Sequence, residues 1–299
     1  MISLPAWLME RLVRLALKSV MSSPLPLRLQ RAWVAMMAWA IPVPAAVHVR
    51  RTTLGHLDAL EVTPPAEPTG TVLFLHGGGF VAGTPRLALS LAAHLALAAD
   101  VAVFLPHYRR APEHPYPVPA EDASDAYCAL LACGKSPDSL VIAGDSSGAA
   151  LALEAAMRAR DLHARPAAVV LLSPWTATAV RHSAVDPVIS QRALRLSAAL
   201  YRAGASPEQV SPALRPLAGL PTLIIYCGER EILRDQARAL AERARTEGVP
   251  VTYRFTRGMW HDFYLFASLV PEGRAAIHEL ADVMGTALAT RRAHPDAAG

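Results

Sequence analysis

The stretch Leu140–Val141–Ile142–Ala143–Gly144–Asp145–Ser146–Ser147–Gly148–Ala149–Ala150–Leu151 reads as a buried strand, a tight turn and the opening of a helix. Between the strand and the helix stands G-x-S-x-G, with glycines two positions before and after Ser146. So tight a turn forces its central residue into strained backbone, and Gly144 and Gly148 leave room for the chain to fold back on itself. The Ser146 hydroxyl then stands above the sheet edge at a helix N-terminus, where the helix dipole favours developing negative charge. The neighbouring Ser147 lacks glycines at both offsets, so Ser146 is the candidate nucleophile. The competing reading is an ordinary strand–helix turn, because the bare pattern is common by chance; its place between a β-branched strand and an Ala-rich helix strengthens it.

Outward from this turn the chain alternates. Short apolar runs at 71–75, 101–105, 140–143, 168–172, 221–227 and 251–255 read as strands, with helical stretches at 87–99, 119–132, 148–160 and 235–247. That alternation predicts an α/β fold with a mostly parallel central sheet flanked by helices. Residues 1 to about 48 read as two apolar helices parted by Ser22–Ser23–Pro24–Leu25–Pro26, and the Pro-rich loop Thr63–Pro64–Pro65–Ala66–Glu67–Pro68 precedes the first clear strand. An insert at about 177–212 is long, helical and Pro-punctuated, which on such a scaffold is more often a functional lid than a neutral loop. The expected organisation is an N-terminal helical cap segment, 1–48, and an α/β domain, 49–299, whose insert contributes to the cap. The apolar surplus around Trp33, Met36, Met37 and Trp39 suits the lining of a pocket; the alternatives are helices that merely finish the core, or contact with a membrane surface.

Composition narrows the function classes. The chain of 299 residues is 53% hydrophobic and 18% charged, which affords a sizeable core. A net charge of +4 invites a nucleic-acid reading, but only Lys18 and Lys135 of the 29 basic residues are lysines. The arginines are scattered, with no aromatic residues interleaved as a stacking platform, so no nucleic-acid partner is expected. Three cysteines, Cys128, Cys133 and Cys227, are an odd number without metal-ligand spacing, which fits a reducing cytoplasm. Glu10, Arg11, Arg14 and Lys18 interrupt the first twenty residues, and the uncharged run 32–47 is short and broken by Pro42 and Pro44. A bilayer span needs about 20 apolar residues, so neither stable membrane insertion nor a cleaved signal is expected.

Three further pieces bear on chemistry. His76–Gly77–Gly78–Gly79–Phe80 follows the 71–75 strand, and consecutive glycines let backbone N–H groups approach a substrate closely. Such a loop is the usual companion of a strand–serine–helix turn, and the amides of Gly78, Gly79 and Ser147 are the expected oxyanion donors. A phosphate-cradling reading fails on spacing, because Gly83 stands one place too late for G-x-G-x-x-G. His76 precedes Ser146 and reads as structural, since the order on this kind of scaffold is serine, acid, histidine. His261 follows the last strand, where the general base belongs, whereas His278 falls in the C-terminal helix expected at 273–286. Among the carboxylates after strand 221–227, Glu229 lies too close to the strand end and Asp235 lies where the next helix begins, which leaves Glu231 as the acid.

Together these pieces resemble the hormone-sensitive-lipase-like carboxylesterases, a branch of the α/β-hydrolases, over roughly residues 70 to 270. Tyr108–Arg109–Arg110–Ala111–Pro112–Glu113–His114–Pro115 is similar to that family's Y-R-L-A-P-E-x-x-x-P, with Arg110 in place of Leu. Its G-D-S-A-G-G appears with Ser147 and Ala149 substituted, its D-P-L-x-D as Glu231–Ile232–Leu233–Arg234–Asp235, and its His-Gly-Phe as His261–Asp262–Phe263. The resemblance implies an α/β-hydrolase fold and hydrolysis of short to medium acyl esters by Ser146, Glu231 and His261. Gly78, Gly79 and Ser147 would form the oxyanion hole, with His76, Gly77, Gly144 and Gly148 shaping the motifs, and no metal or organic cofactor is implied. The expected partner is a small-molecule ester, with a homodimer left open. Lactones, carbamates and amides share the chemistry, and the rival outside catalysis is a ligand-binding protein on the same scaffold.

Overall fold

The computed structural model describes residues 2–178 and 186–293. The chain opens on α1 (Leu4–Val13), passes through one π turn (Arg14–Lys18) into α2 (Ser19–Met21), breaks, and resumes as α3 (Leu27–Ala40). A hairpin of β1 (His48–Leu54) and β2 (Leu57–Thr63) follows, then β3 (Gly70–Leu75), α4 (Pro85–Ala99), β4 (Val101–Pro106) and α5 (Val118–Ala132). Next come β5 (Leu140–Asp145), α6 (Ser147–Asp161), β6 (Ala168–Leu172), α7 (Gln191–Arg202), β7 (Thr222–Gly228), α8 (Arg234–Thr246), β8 (Val251–Thr256) and α9 (Pro271–Ala293).

The strands form one sheet in the order β1-β2-β4-β3-β5-β6-β7-β8, antiparallel from β1 to β4 and parallel from there on. Its inner strands are largely apolar because both faces are covered. Val72 and Phe74 face α4 and α9, while Leu73 and Leu75 face α5, α6 and α8, the period-2 alternation of a strand. Each such side chain contributes about 1.5–3 kcal/mol on burial. Strand order reverses at β3, so the loops leaving β3 and β5 open side by side, with Leu75 in register with Gly144.

The mostly parallel sheet and its flanking helices match the expectation, and the 22–26 break separates the N-terminal helices as read. The β1–β2 hairpin was not anticipated. Of β1 only Leu54 is buried, and Arg50 and Arg51 are exposed, so this edge strand has no apolar run to reveal it. The N-terminal helical segment ends at Ala40 rather than near 48, and α9 extends well beyond 286. Within the expected insert, 179–185 lie outside the described residues; the remainder carries α7. No helix among the described residues is long and apolar enough to cross a membrane.

Candidate active site

The turn after β5 does what its glycines require. Ser146 sits at φ 50° and ψ −118°, a strained conformation for a residue with a side chain. Its N–H donates to the Leu172 carbonyl at 2.9 Å, and its own carbonyl accepts from Trp175 N–H at 2.9 Å. A Cβ on Gly148 would lie 2.0 Å from the Leu75 carbonyl oxygen, so only glycine lets α6 start this close to β3.

Beside it, the glycine loop is fixed by two hydrogen bonds from the elbow. Gly77 N–H donates to Asp145 Oδ1 at 2.8 Å, and Phe80 N–H donates to Ser147 Oγ at 3.1 Å. Gly78 takes φ 118°, and a Cβ there would meet the Gly83 nitrogen at 2.2 Å. The Gly78 and Gly79 amides have no protein acceptor among the described residues, and both glycines line the cavity over Ser146. His76 stacks on Tyr108 at 4.3 Å, and the Tyr108 hydroxyl donates to the His76 carbonyl at 2.6 Å. Burial holds the His76 imidazole neutral, with its pKa lowered to about 3. His76 is thus wholly buried against Tyr108 of the 108–115 segment.

The far side of the site is a pair of loops after β7 and β8. They are joined by Glu229 N–H to the Thr256 carbonyl at 3.0 Å, Arg230 N–H to the Met259 carbonyl at 2.8 Å, and Gly258 N–H to Glu229 Oε2 at 2.8 Å. On this frame His261 Nδ1 lies 3.0 Å from Glu231 Oε2, and His261 Nε2 lies 2.9 Å from Ser146 Oγ. Ser146, Glu231 and His261 are all buried, at 6%, 1% and 4% exposure, which strengthens every electrostatic contact among them. Glu231 Oε1 accepts the Gly228 N–H at 2.8 Å. Burial raises the Glu231 pKa, only partly countered by its bond to His261. Glu229 spends its carboxylate on Gly258, and Asp235 is an exposed first-turn residue of α8. Of the three competing acids, only Glu231 reaches His261.

Three residues that the sequence did not single out brace this arrangement. Ser173, at the end of β6 with φ 44°, accepts the Asp262 N–H on its hydroxyl at 3.2 Å. Asp186, fully buried, accepts the Val188 and Ile189 N–H groups on Oδ1 and the Ile232 N–H on Oδ2 at 3.0 Å, tying the insert to the acid loop. Asp262 places Oδ2 3.0 Å from His261 Nε2. The only local signal for it was its departure from His-Gly-Phe.

Above Ser146 opens a cavity of about 130 Å³, close to the ~150 Å³ that holds a benzene. Val13, Leu17 and Met21 enter it from the first helices, Val34 and Met37 from α3, and Ala193 and Leu194 from α7. Met36 and Trp39 face solvent instead, and Trp33 donates its indole N–H to the Ala16 carbonyl. Lys18 also lines the cavity, its ammonium donating to the Asp186 carbonyl. Among the described residues, one cluster offers metal-ligating atoms close together, His56, Asp122 and Asp125. Asp122 is already engaged by the Arg109 N–H and guanidinium, and none of the three lines the Ser146 cavity. The three cysteines are free thiols.

The chain as a whole has relatives among known proteins. A sequence profile of the alpha/beta hydrolase fold matches residues 72–265. An acetyl-hydrolase of Streptomyces hygroscopicus is 39% identical over 244 residues, 79% of this chain and 82% of that protein. An esterase of Acinetobacter venetianus is 31% identical over 251 residues, 81% of this chain and 83% of its own length. The crystal structure of an esterase from the bacterial hormone-sensitive lipase family superposes with a TM-score of 0.90 at 31% identity, covering 96% of this chain and 99% of that one.

Proposed function

The chain belongs to the α/β-hydrolase family, in its hormone-sensitive-lipase-like branch, and on that premise we propose that it hydrolyses short to medium acyl esters through Ser146, His261 and Glu231. The observation that carries the reading is the continuous chain from Ser146 Oγ through the His261 ring to Glu231, lying at the floor of an apolar cavity. His261 Nε2 takes the Ser146 proton as Oγ bonds to the ester carbonyl carbon and the carbonyl electron pair moves onto oxygen. The Gly78, Gly79 and Ser147 amides meet that oxyanion, each well-aimed donor typically contributing about 2.7–4 kcal/mol to the transition state. The imidazolium then protonates the leaving alcohol. Water, deprotonated by the same histidine, releases the acid from the acyl-enzyme. Glu231 fixes the ring tautomer and stabilises its charge without taking the proton.

The N-terminal helices and the α7 segment are, in this reading, the cap that supplies the acyl pocket, and the small cavity favours short chains. The test is an acyl-length series of p-nitrophenyl esters, with a fluorophosphonate label mapped by peptide mass. Turnover on acetate and butyrate, falling on long chains, with the label on the peptide holding Ser146, is expected. A folded protein inert across the series, or labelled elsewhere, would overturn the proposal.

A further inference from the structure

Where the resembling family has glycine after the base, this chain has Asp262, and its carboxylate turns back onto the imidazole. The backbone there keeps the left-handed conformation a glycine would take, at φ 55°. Asp262 Oδ2 is 3.0 Å from His261 Nε2, and Ser146 Oγ is 2.9 Å from the same nitrogen. His261 therefore carries a carboxylate at each ring nitrogen, Glu231 on Nδ1 and Asp262 on Nε2. Among the described residues the imidazole is the only ion-pair partner of Asp262, whose Oδ1 is buried without a hydrogen bond.

The geometry points to Asp262 as a positioning residue of the hydrolytic site: its carboxylate competes with the Ser146 hydroxyl for the Nε2 edge of His261, and so sets the pH above which that edge is free to take the serine proton. The inference rests on the Ser146–His261–Glu231 reading above.

Nε2 holds either a lone pair or one proton. An ionised carboxylate facing the lone pair is repelled, whereas facing N–H it forms a charge-assisted bond. Asp262 thus favours the ring protonated on both nitrogens, a form that cannot accept from Ser146. Burial alone would depress the His261 pKa, but the charges of Asp262 and Glu231 reverse that and hold it well above the ordinary imidazole value. Before attack, the Nε2 proton must pass to water, leaving the lone pair to receive the Ser146 proton. Other groups around the ring act less directly. Asp145, at the end of β5, is pushed well up by burial and then by the charge of Asp262, and is drawn down by His261. Lys18 faces the same cavity but gives its ammonium to the Asp186 carbonyl. Cys227 and Tyr264, around Glu231, are held neutral by burial. Glu229 is spent on the Gly258 N–H.

The experiment is kcat/KM on p-nitrophenyl butyrate across acid to alkaline pH for the wild type, Asp262→Asn, Asp262→Gly and Ser146→Ala. Both Asp262 variants suit a left-handed backbone. The His261 base must be unprotonated to act, so activity is lost as pH falls through its raised pKa. Removing the carboxylate should move that acid limb about 1 unit or more to lower pH. About two units below the wild-type midpoint, each variant would then keep close to tenfold more of its own plateau rate. The His261 ring resonance of the wild type, followed by NMR, needs no variant and should titrate above the ordinary imidazole range. Variant profiles that superpose on the wild type, or a ring that titrates in the ordinary range, overturn the Asp262 assignment provided Ser146→Ala is inert. Hydrolysis surviving in Ser146→Ala overturns the underlying triad reading instead.

Discussion

The two halves of the site are held by different kinds of force. On the elbow side, the position of the serine is set by backbone: Ser146 is pinned through its own N–H and carbonyl, and Gly148 lies so close to β3 that no side chain fits. Side chains, those of Asp145 and Ser147, hold only the neighbouring glycine loop. On the base side, position is set largely by side chains: Glu231 on His261, Glu229 on Gly258, Ser173 on Asp262, and Asp186 on Ile232. A backbone-built half has few tolerable variants and keeps one geometry. A half built from ionisable side chains can be retuned one carboxylate at a time, as the exchange of glycine for Asp262 illustrates.

The comparison is broken most severely at the proposed nucleophile. Ser146→Ala leaves the elbow backbone intact yet should abolish turnover, by a factor on the order of 10⁶ where the triad members act as a unit. Retention of more than about a tenth of the wild-type rate would remove Ser146 from the mechanism and make Ser147 the next residue to test. Glu231→Gln comes second. It keeps the shape and the acceptor for Gly228 N–H but removes the charge that steadies the imidazolium, with an expected loss of about 10²–10⁴ in kcat. A kcat within threefold of wild type would show that the base loop holds His261 without help from Glu231.

Gly148→Ala sharpens the contrast, because it removes no chemical group. Its Cβ would meet the Leu75 carbonyl at 2.0 Å, so β3 and α6 must part. The strain should cost about 1–3 kcal/mol of stability and more if the backbone cannot yield. It should also loosen the loop that carries the Gly78 and Gly79 amides. Paired melting and kcat measurements check this. Unchanged values in both would mean that the elbow has slack that its packing does not suggest.

The same division explains what could be read in advance. Glycine at 144 and 148, and at 77 to 79, answers steric demands local to the chain, so the elbow and its loop were visible as motifs. The inner strands were visible because burial on both faces leaves runs such as Val72–Leu73–Phe74–Leu75 with no polar break. β1 was not visible, since an edge strand keeps His48, Arg50 and Arg51 in solvent and shows no apolar run. Nor was the role of Asp186 or Ser173. Each acts on a residue brought close only by the fold, Asp186 on Ile232 some 46 positions away and Ser173 on Asp262 some 89 positions away. Asp262 stood in plain view as a motif departure. Its contact with Nε2 depends on a backbone conformation that the sequence does not declare.

The smallest effect concerns the carboxylate that sequence alignment set beside Glu231. Asp235 is the second residue of α8, with its side chain 55% exposed and Oδ1 3.7 Å from the Arg238 guanidinium. It can stabilise the chain in two ways, by its charge at the helix N-terminus and by a surface ion pair one turn along. The first is typically ~0.3–1 kcal/mol and the second close to zero at this exposure. Asp235→Asn should therefore cost about 0.5 kcal/mol, a melting shift of roughly 1–2 °C for a domain of this size. The loss should shrink as salt screens the helix terminus. Because Asp235 makes no contact with His261, kcat and its pH profile should match the wild type, in contrast to Glu231→Gln. If Asp235→Asn instead lowered kcat a hundredfold while Glu231→Gln left it intact, the acid would be Asp235, and α8 would have to open by a turn to deliver it.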